Sequence, residues 1–195
     1  MNFPQDTSTA TPAGFAAPEL HVFLGVSLDG CIAGEDGDLS WMQACAAESP
    51  VDTGYSALMD RVDTLLLGRR TYEAVLGYGD WPFKGKRVRV LTRRTLDPRH
   101  GEAPCSGPMA SVLADLAAEG ARSVYLDGGD VVRQALALDL VKELTLSWVP
   151  TILGRGTRLF ESGLPRQTWQ LLSSRAFASG MVQARYSRVA VGDAG

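Results

Sequence analysis

Twice in this chain a short apolar run ends in glycine and continues at once with helical spacing. Leu65-Leu66-Leu67-Gly68 leads into Arg69-Arg70-Thr71, and Val124-Tyr125-Leu126-Asp127-Gly128-Gly129 leads into Asp130-Val131-Val132. A strand that turns straight into a helix is half of a parallel crossover unit. Repeated units of this kind demand a sheet with helices on both faces. The 195 residues suffice for one sizeable core and are too few for two ordinary domains, so residues 19–191 are expected to form a single α/β domain, preceded by a disordered arm over 1–18.

The remaining pattern agrees. Apolar runs bounded by turn residues predict strands over 20–27, 63–68, 87–92, 123–127 and 141–149. Helical spacing appears over 54–62, 71–76 and 130–138, and over 111–119 behind Ser111 as N-cap, with Gly120 closing that helix. Residues 28–53, with Asp36-Gly37 and Trp41, read mainly as a loop. The C-terminal quarter changes character: strands over 169–177 and 181–189 around Ala178-Ser179-Gly180 make an antiparallel hairpin at the sheet's end. The expected fold is thus α/β, a mixed and mostly parallel sheet flanked by helices.

Several function classes find no support. A net charge of −3 gives no electrostatic reason to expect nucleic acid or an anionic membrane, and no apolar stretch approaches the roughly 20 residues of a membrane span. Cys31, Cys45 and Cys105 form neither an even set nor a C-x-x-C pair, so neither a disulfide framework nor a metal site is expected, and a cytoplasmic location fits. His21 opens a strand and His100 lies in a loop, which leaves no histidine dyad.

Four segments carry possible chemistry. Gly68, Arg69, Arg70 and Thr71 stand where a strand becomes a helix, and free N–H groups, a helix dipole and guanidinium together favour an anion there; a plain helix start with solvated arginines is the alternative. Gly128-Gly129 repeats the geometry and could seat a pyrophosphate, although Asp127 and Asp130 would repel one unless they point away, and the spacing is not G-x-G-x-x-G. Thr92-Arg93-Arg94 ends a strand where an NAD-specific protein would usually carry a carboxylate; arginine there favours an adenosine 2′-phosphate, unless both are surface cations. The stretch from Ser27 through Asp29-Gly30 to Leu39 and Trp41 reads as a turn and a loop, either a lid over a planar ligand or an ordinary surface loop.

In this order and spacing the segments resemble the dihydrofolate reductase superfamily, and specifically the branch of the C-terminal reductase domain of riboflavin biosynthesis. The resemblance spans roughly 20–189 and includes Ser27-Leu28-Asp29-Gly30, Gly68 to Glu73, Asp127-Gly128-Gly129, and Val149 to Gly156 followed by Leu159-Phe160. It implies NADPH as cofactor, with Ile32, Ala33 and Leu39 lining the nicotinamide and Gly68, Arg69, Arg70 and Thr71 holding phosphates. Thr92, Arg93 and Arg94 would meet the 2′-phosphate, while Gly128, Gly129, Asp130, Val131 and Val132 would cradle the pyrophosphate through backbone. It places the substrate against Ser27, Trp41 and Ser147, and makes Asp29 the candidate catalytic residue, in a turn where it either contacts substrate or simply caps the turn.

The resemblance also implies a homodimer and hydride transfer to a riboflavin-pathway pyrimidine, of the 5-amino-6-(5-phosphoribosylamino)uracil type. A pteridine or dihydrofolate reductase is the rival, and a non-catalytic NADPH-binding protein the rival from another class. Dihydrofolate reductases carry an acid one turn into the helix after the loop tryptophan; here Cys45 and Ala46 stand there, and Glu48 and Asp52 are the nearest carboxylates.

Overall fold

The computed structural model describes residues 17–48 and 52–189. The arm expected over 1–18 therefore lies mostly outside the described residues.

Ten strands form in chain order: β1 Glu19–Ser27, β2 Cys31–Ala33, β3 Thr64–Gly68, β4 Arg87–Leu91, β5 Ala103–Cys105, β6 Ser123–Asp127, β7 Val141–Val149, β8 Thr157–Arg158, β9 Trp169–Ala176 and β10 Val182–Arg188. Among the described residues five α-helices accompany them: α1 Ser40–Glu48, α2 Tyr55–Arg61, α3 Arg69–Leu76, α4 Met109–Ala118 and α5 Gly129–Ala137. Eight strands make the main sheet in the order β5-β4-β3-β6-β1-β7-β10-β9, and β2 pairs with β8 in a small ribbon. The strands from β5 to β7 run parallel, while β10 and β9 form the expected antiparallel hairpin.

Two cores separate on the sheet's faces because side chains alternate along each strand. Leu66, Val124 and Leu126 face α4 and α5, packing with Met109, Val112, Val131 and Val132. Leu65, Leu67 and Tyr125 face the other way, toward Leu58 of α2 and Tyr72 and Val75 of α3. The continuous run Leu65-Leu66-Leu67 is thus apolar because both faces of β3 are covered.

The crossovers explain which helix lies where. From β3 the chain steps outward through α3 to β4, whereas from β6 it passes over β1 through α5 to β7. Right-handed connections in opposite directions put their helices on opposite faces. The helices that leave the neighbouring ends of β3 and β6 therefore diverge to opposite faces, the switch point at the C-terminal edge where open α/β sheets place ligands in the crevice outside the strand ends.

Three expectations need correction. Residues 40–48, expected within a loop, form α1, started by Asp38: its Oδ1 accepts the Ser40 N–H at 3.0 Å and its Oδ2 accepts the Ser40 hydroxyl at 3.0 Å. The segment SWMQACAAE has good helix formers but no apolar stripe, so periodicity could not reveal it. Met42 of α1 rests on Gly25 of β1, where a Cβ would overlap its sulfur. Ser111 is not an N-cap; α4 begins at Met109 behind Pro108, whose fixed φ suits a helix entrance. Short strands β2, β5 and β8 were also not foreseen. No helix among the described residues is long and apolar enough to cross a membrane.

Leu66 is fully buried in the central core. Leu66→Ala is expected to cost about 2–5 kcal/mol of unfolding free energy, read from the shift of a urea unfolding midpoint at constant m-value.

Candidate functional site

The crevice between β3 and β6 gathers two of the segments singled out in the sequence. Helices α3 and α5 begin at Gly68 and Gly128, and neither start has a side-chain cap. The first α5 bond runs from the Val132 N–H to the Gly128 carbonyl at 3.1 Å, so earlier N–H groups of that turn point out of the helix. The two starts touch: a Cβ on Gly128 would overlap Thr71 Oγ1 and stand 3.5 Å from the Gly68 nitrogen, and Gly128 has φ +103°. Gly129 is equally constrained, since a Cβ there would stand 2.8 Å from Ile32 Cδ1 and 2.8 Å from Arg133 Nη1. The paired starts form a backbone cradle whose missing side chains keep it shallow and rich in donors, which fits the diphosphate of a dinucleotide.

Two acidic residues beside this cradle behave differently. Asp130 pairs with Arg133, which also bonds the Arg158 carbonyl at 2.6 Å and Glu161 at 3.3 Å. Asp130 thus shares one guanidinium with Glu161, and it is the backbone of this residue, not its side chain, that belongs to the cradle. Asp127, at the end of β6, is half-buried, and burial pushes its carboxyl up to about 6 although the Tyr125 side chain and the Gly128 N–H pull the other way. Strand alternation puts it on the face of Tyr125, whose hydroxyl donates to the Phe23 carbonyl at 3.0 Å, near Tyr55. Reading from sequence treated Asp127 only as a possible obstacle to phosphate; its burial, invisible in the sequence, was the missing signal.

The arginines divide. Arg93 and Arg94 are exposed at the end of β4, with no acidic partner within ion-pair distance among the described residues, and Thr92 Oγ1 accepts the Arg94 N–H at 3.1 Å. Arg70 is likewise exposed and without an ion pair there. Arg69, expected on a phosphate, bonds Glu73 at 2.6 Å and the Thr95 carbonyl at 2.8 Å, so its guanidinium is engaged within the protein.

The turn after β1 is a structural knot. Ser27 is fully buried; its hydroxyl donates to Asp29 Oδ1 at 2.7 Å and accepts the Cys31 N–H at 2.8 Å. Asp29 also accepts the Leu153 and Gly154 N–H groups at 3.1 and 2.8 Å. These bonds, Ser27 first among them, hold its carboxyl down to about 2. Expected as the catalytic residue, Asp29 is ionised at neutral pH and has no proton to donate; it anchors the loop after β7. Ser27, expected against substrate, has its hydroxyl committed to the same turn.

That knot places Ile32 against Gly129. The ribbon β2–β8 carries Ile32 and Ala33, and Gly156, at φ +146°, lies so close to the Ala33 carbonyl that any Cβ would overlap it. Leu39 and Trp41 are half-buried at the start of α1, and Trp41 Nε1 donates to the Asp38 carbonyl at 3.1 Å. Ser147 of β7 is buried and accepts from Gln183 Nε2 at 2.9 Å, on the β7–β1 row that pairs it with Gly25. Of the two spare carboxylates, Asp52 is exposed and accepts the Gly54 N–H at 2.8 Å, while the Glu48 side chain lies outside the described residues.

Sheet order, terminal hairpin and a cradle at the strand ends define the dihydrofolate reductase-like class of α/β fold. The dihydrofolate reductase of Enterococcus faecalis, complexed with NADP(H) and RAB-propyl, superposes with a TM-score of 0.65 at 17% identity, covering 90% of this chain and 99% of that one. A Shewanella sp. PV-4 protein named for riboflavin biosynthesis gives a TM-score of 0.81 at 33% identity, covering 88% of this chain and 99% of its own. The uncharacterized protein YwjB of Bacillus subtilis is 31% identical over 171 residues, 86% of this chain and 96% of YwjB. Residues 105–183 match the model of the RibD C-terminal domain. The chain belongs to the RibD C-terminal domain family.

Asp127 gives a test of the electrostatics. Its native pKa of about 6 lies above the ordinary 3.8, so the folded state binds the proton more tightly and ionisation at this site costs stability as pH rises from about 4 to about 6. Asp127→Asn is therefore expected to gain stability relative to wild type through that window and hold the gain above it. Carboxyl NMR of the wild type should show a titration near pH 6 that the variant lacks.

Proposed function

We propose that this protein is an NADPH-dependent reductase acting on a planar or ring-opened heterocycle, with a riboflavin-pathway pyrimidine of the 5-amino-6-(5-phosphoribosylamino)uracil type as the leading substrate. The observation that carries the reading is the paired, uncapped helix starts at Gly68 and Gly128, set beside the exposed Arg93 and Arg94. The pyrimidine half rests on family membership and on the Shewanella relative's name.

When bound, the cofactor supplies the hydride; the protein contributes position, exclusion of water and a proton. Gly68, Thr71, Gly128 and Gly129, with the backbone of Asp130, Val131 and Val132, hold the diphosphate. Arg70 lies beside this cradle as a further cation, while Arg93 and Arg94, with Thr92, grip the 2′-phosphate. Ile32 and Ala33, fixed by the β2–β8 ribbon, and Leu39 form the dry wall beside the reacting ring. Trp41 and Ser147 bound the substrate side. Asp127, whose carboxyl burial pushes up to about 6, is the candidate for handling a proton near neutral pH in place of Asp29, with water as the other donor. Such modest machinery is enough, because the cofactor carries the reactivity.

A homodimer fits the same reading. The edge strand β9 is exposed along most of its length, Leu171 and Leu172 included. Pairing along that edge would cover its open backbone.

Calorimetry with NADPH and NADH tests the cofactor assignment. Replacing Arg93 and Arg94 with alanine should weaken NADPH by about 1.5–3 kcal/mol per lost charged contact and leave NADH nearly unchanged. Equal affinity of the wild type for both cofactors would overturn the assignment. Loss of NADPH absorbance on adding a candidate pyrimidine tests turnover, and tight binding with no oxidation by any pyrimidine or pteridine would reduce the protein to a binding module.

A further inference from the structure

Between β4 and the edge strand β5 the chain makes an excursion over residues 92–102, and this excursion carries Arg93 and Arg94. A loop of this length closes at an entropic cost and is mobile unless held. This one is held along its whole course. At its root the Thr92 N–H donates to the Cys105 carbonyl at 2.9 Å. Further on, the Thr95 carbonyl accepts Arg69 Nη1 at 2.8 Å, and Glu73, one helical turn after Arg69, fixes the same guanidinium through Nε at 2.6 Å. Leu96 is buried, and the His100 ring lies flat on Trp81 with centroids 4.6 Å apart and planes inclined by 16°.

Glu102 closes the loop. It is only 3% exposed, and its Oε2 accepts two successive backbone N–H groups, Arg99 at 2.9 Å and His100 at 2.8 Å. Its Oε1 finds no hydrogen-bond partner among the described residues. Burial pushes the carboxyl up, but the backbone N–H groups more than offset this, so the side chain is held below its ordinary value as a carboxylate. A buried carboxylate with one oxygen unpaired is costly. What it achieves is a fixed loop. The segment's own cations at Arg93 and Arg94 remain exposed.

We infer that Arg69 and Glu102 are positioning residues for cofactor specificity: they fold residues 92–102 so that Arg93 and Arg94 already face the 2′-phosphate before a dinucleotide arrives. This rests on the NADPH reading above. It gives Arg69 a different task from a direct phosphate ligand, and the two tasks have different signatures. NADPH and NADH share the diphosphate, so loss of a diphosphate ligand weakens both alike. They differ only at the 2′-phosphate, so loss of a strut under Arg93 and Arg94 weakens NADPH alone.

The test uses the full chain with Arg69→Met, Glu102→Met and Glu102→Gln, titrated with NADPH and with NADH by calorimetry, alongside hydrogen exchange of the unliganded proteins. Arg69→Met and Glu102→Met are expected to lower the NADPH-to-NADH affinity ratio by roughly tenfold through NADPH alone. Glu102→Gln keeps a carbonyl acceptor and should retain most of the ratio. Protection of the Arg99 and His100 amides should be lost in Glu102→Met. Equal weakening of both cofactors by Arg69→Met, or an unchanged ratio in both methionine variants, overturns the inference. Should Glu102→Met fail to fold, Arg69→Met decides together with hydrogen exchange: NADPH-selective weakening with reduced protection over residues 95–100 supports the inference, and NADPH-selective weakening with unchanged protection marks a direct 2′-phosphate contact and overturns it. A wild type that does not distinguish NADPH from NADH overturns the cofactor reading itself, a result separable from failure of the variants.

Discussion

The contact between two backbones at Gly68 and Gly128 governs this molecule. Adjacent parallel strands β3 and β6 end side by side, and their helices leave on opposite faces. The cradle exists only because Gly128 has no Cβ where Thr71 Oγ1 stands, and because Gly129 has none where Ile32 and Arg133 meet it. Every other part of the site is referred to that point: Ile32 through the β2–β8 ribbon, Arg93 and Arg94 through the loop braced on α3, and Asp127 through the last residue of β6. The constraint is steric first and electrostatic second.

Much of this was legible in the sequence. The apolar runs, the glycines that end them and the helical spacing beyond them fixed the strand–helix units to within a few residues, and the span 141–149 for β7 agrees to the residue. What escaped had little local signature. Helix α1 has no apolar stripe, and β2, β5 and β8 are two or three residues long. Such elements owe their existence to partners distant in sequence. Ser111 is a good cap by type, yet Pro108 starts the helix three residues earlier.

Residue roles were less legible than the fold, for the same reason. Asp29 has the look of a catalytic acid until Leu153 and Gly154, more than a hundred residues on, take its oxygens. Arg69 has the look of a phosphate ligand until Thr95 and Glu73 engage it. Asp130 has the look of an obstacle to phosphate until its carboxylate is found turned to Arg133, a cation it shares with Glu161. In each case the residue type was informative about charge, and only tertiary contacts decided where that charge was used. The converse is Asp127, whose raised pKa comes from burial.

The strand order has a consequence for how the chain reaches this state. β1 is made first, and β3, β4 and β5 follow, yet the place between β1 and β3 belongs to β6, more than fifty residues further along. During synthesis the facing edges of β1 and β3 are both complete while their common neighbour is still missing. Each offers an open ladder of apolar strand, the kind of edge that pairs with the wrong partner. Direct pairing of β1 with β3 would satisfy both edges and exclude β6 altogether. The glycines at 128 and 129 thus arrive on the piece that joins β1 to the β3–β4–β5 half of the sheet, and a nascent chain released before that point carries both facing edges uncovered.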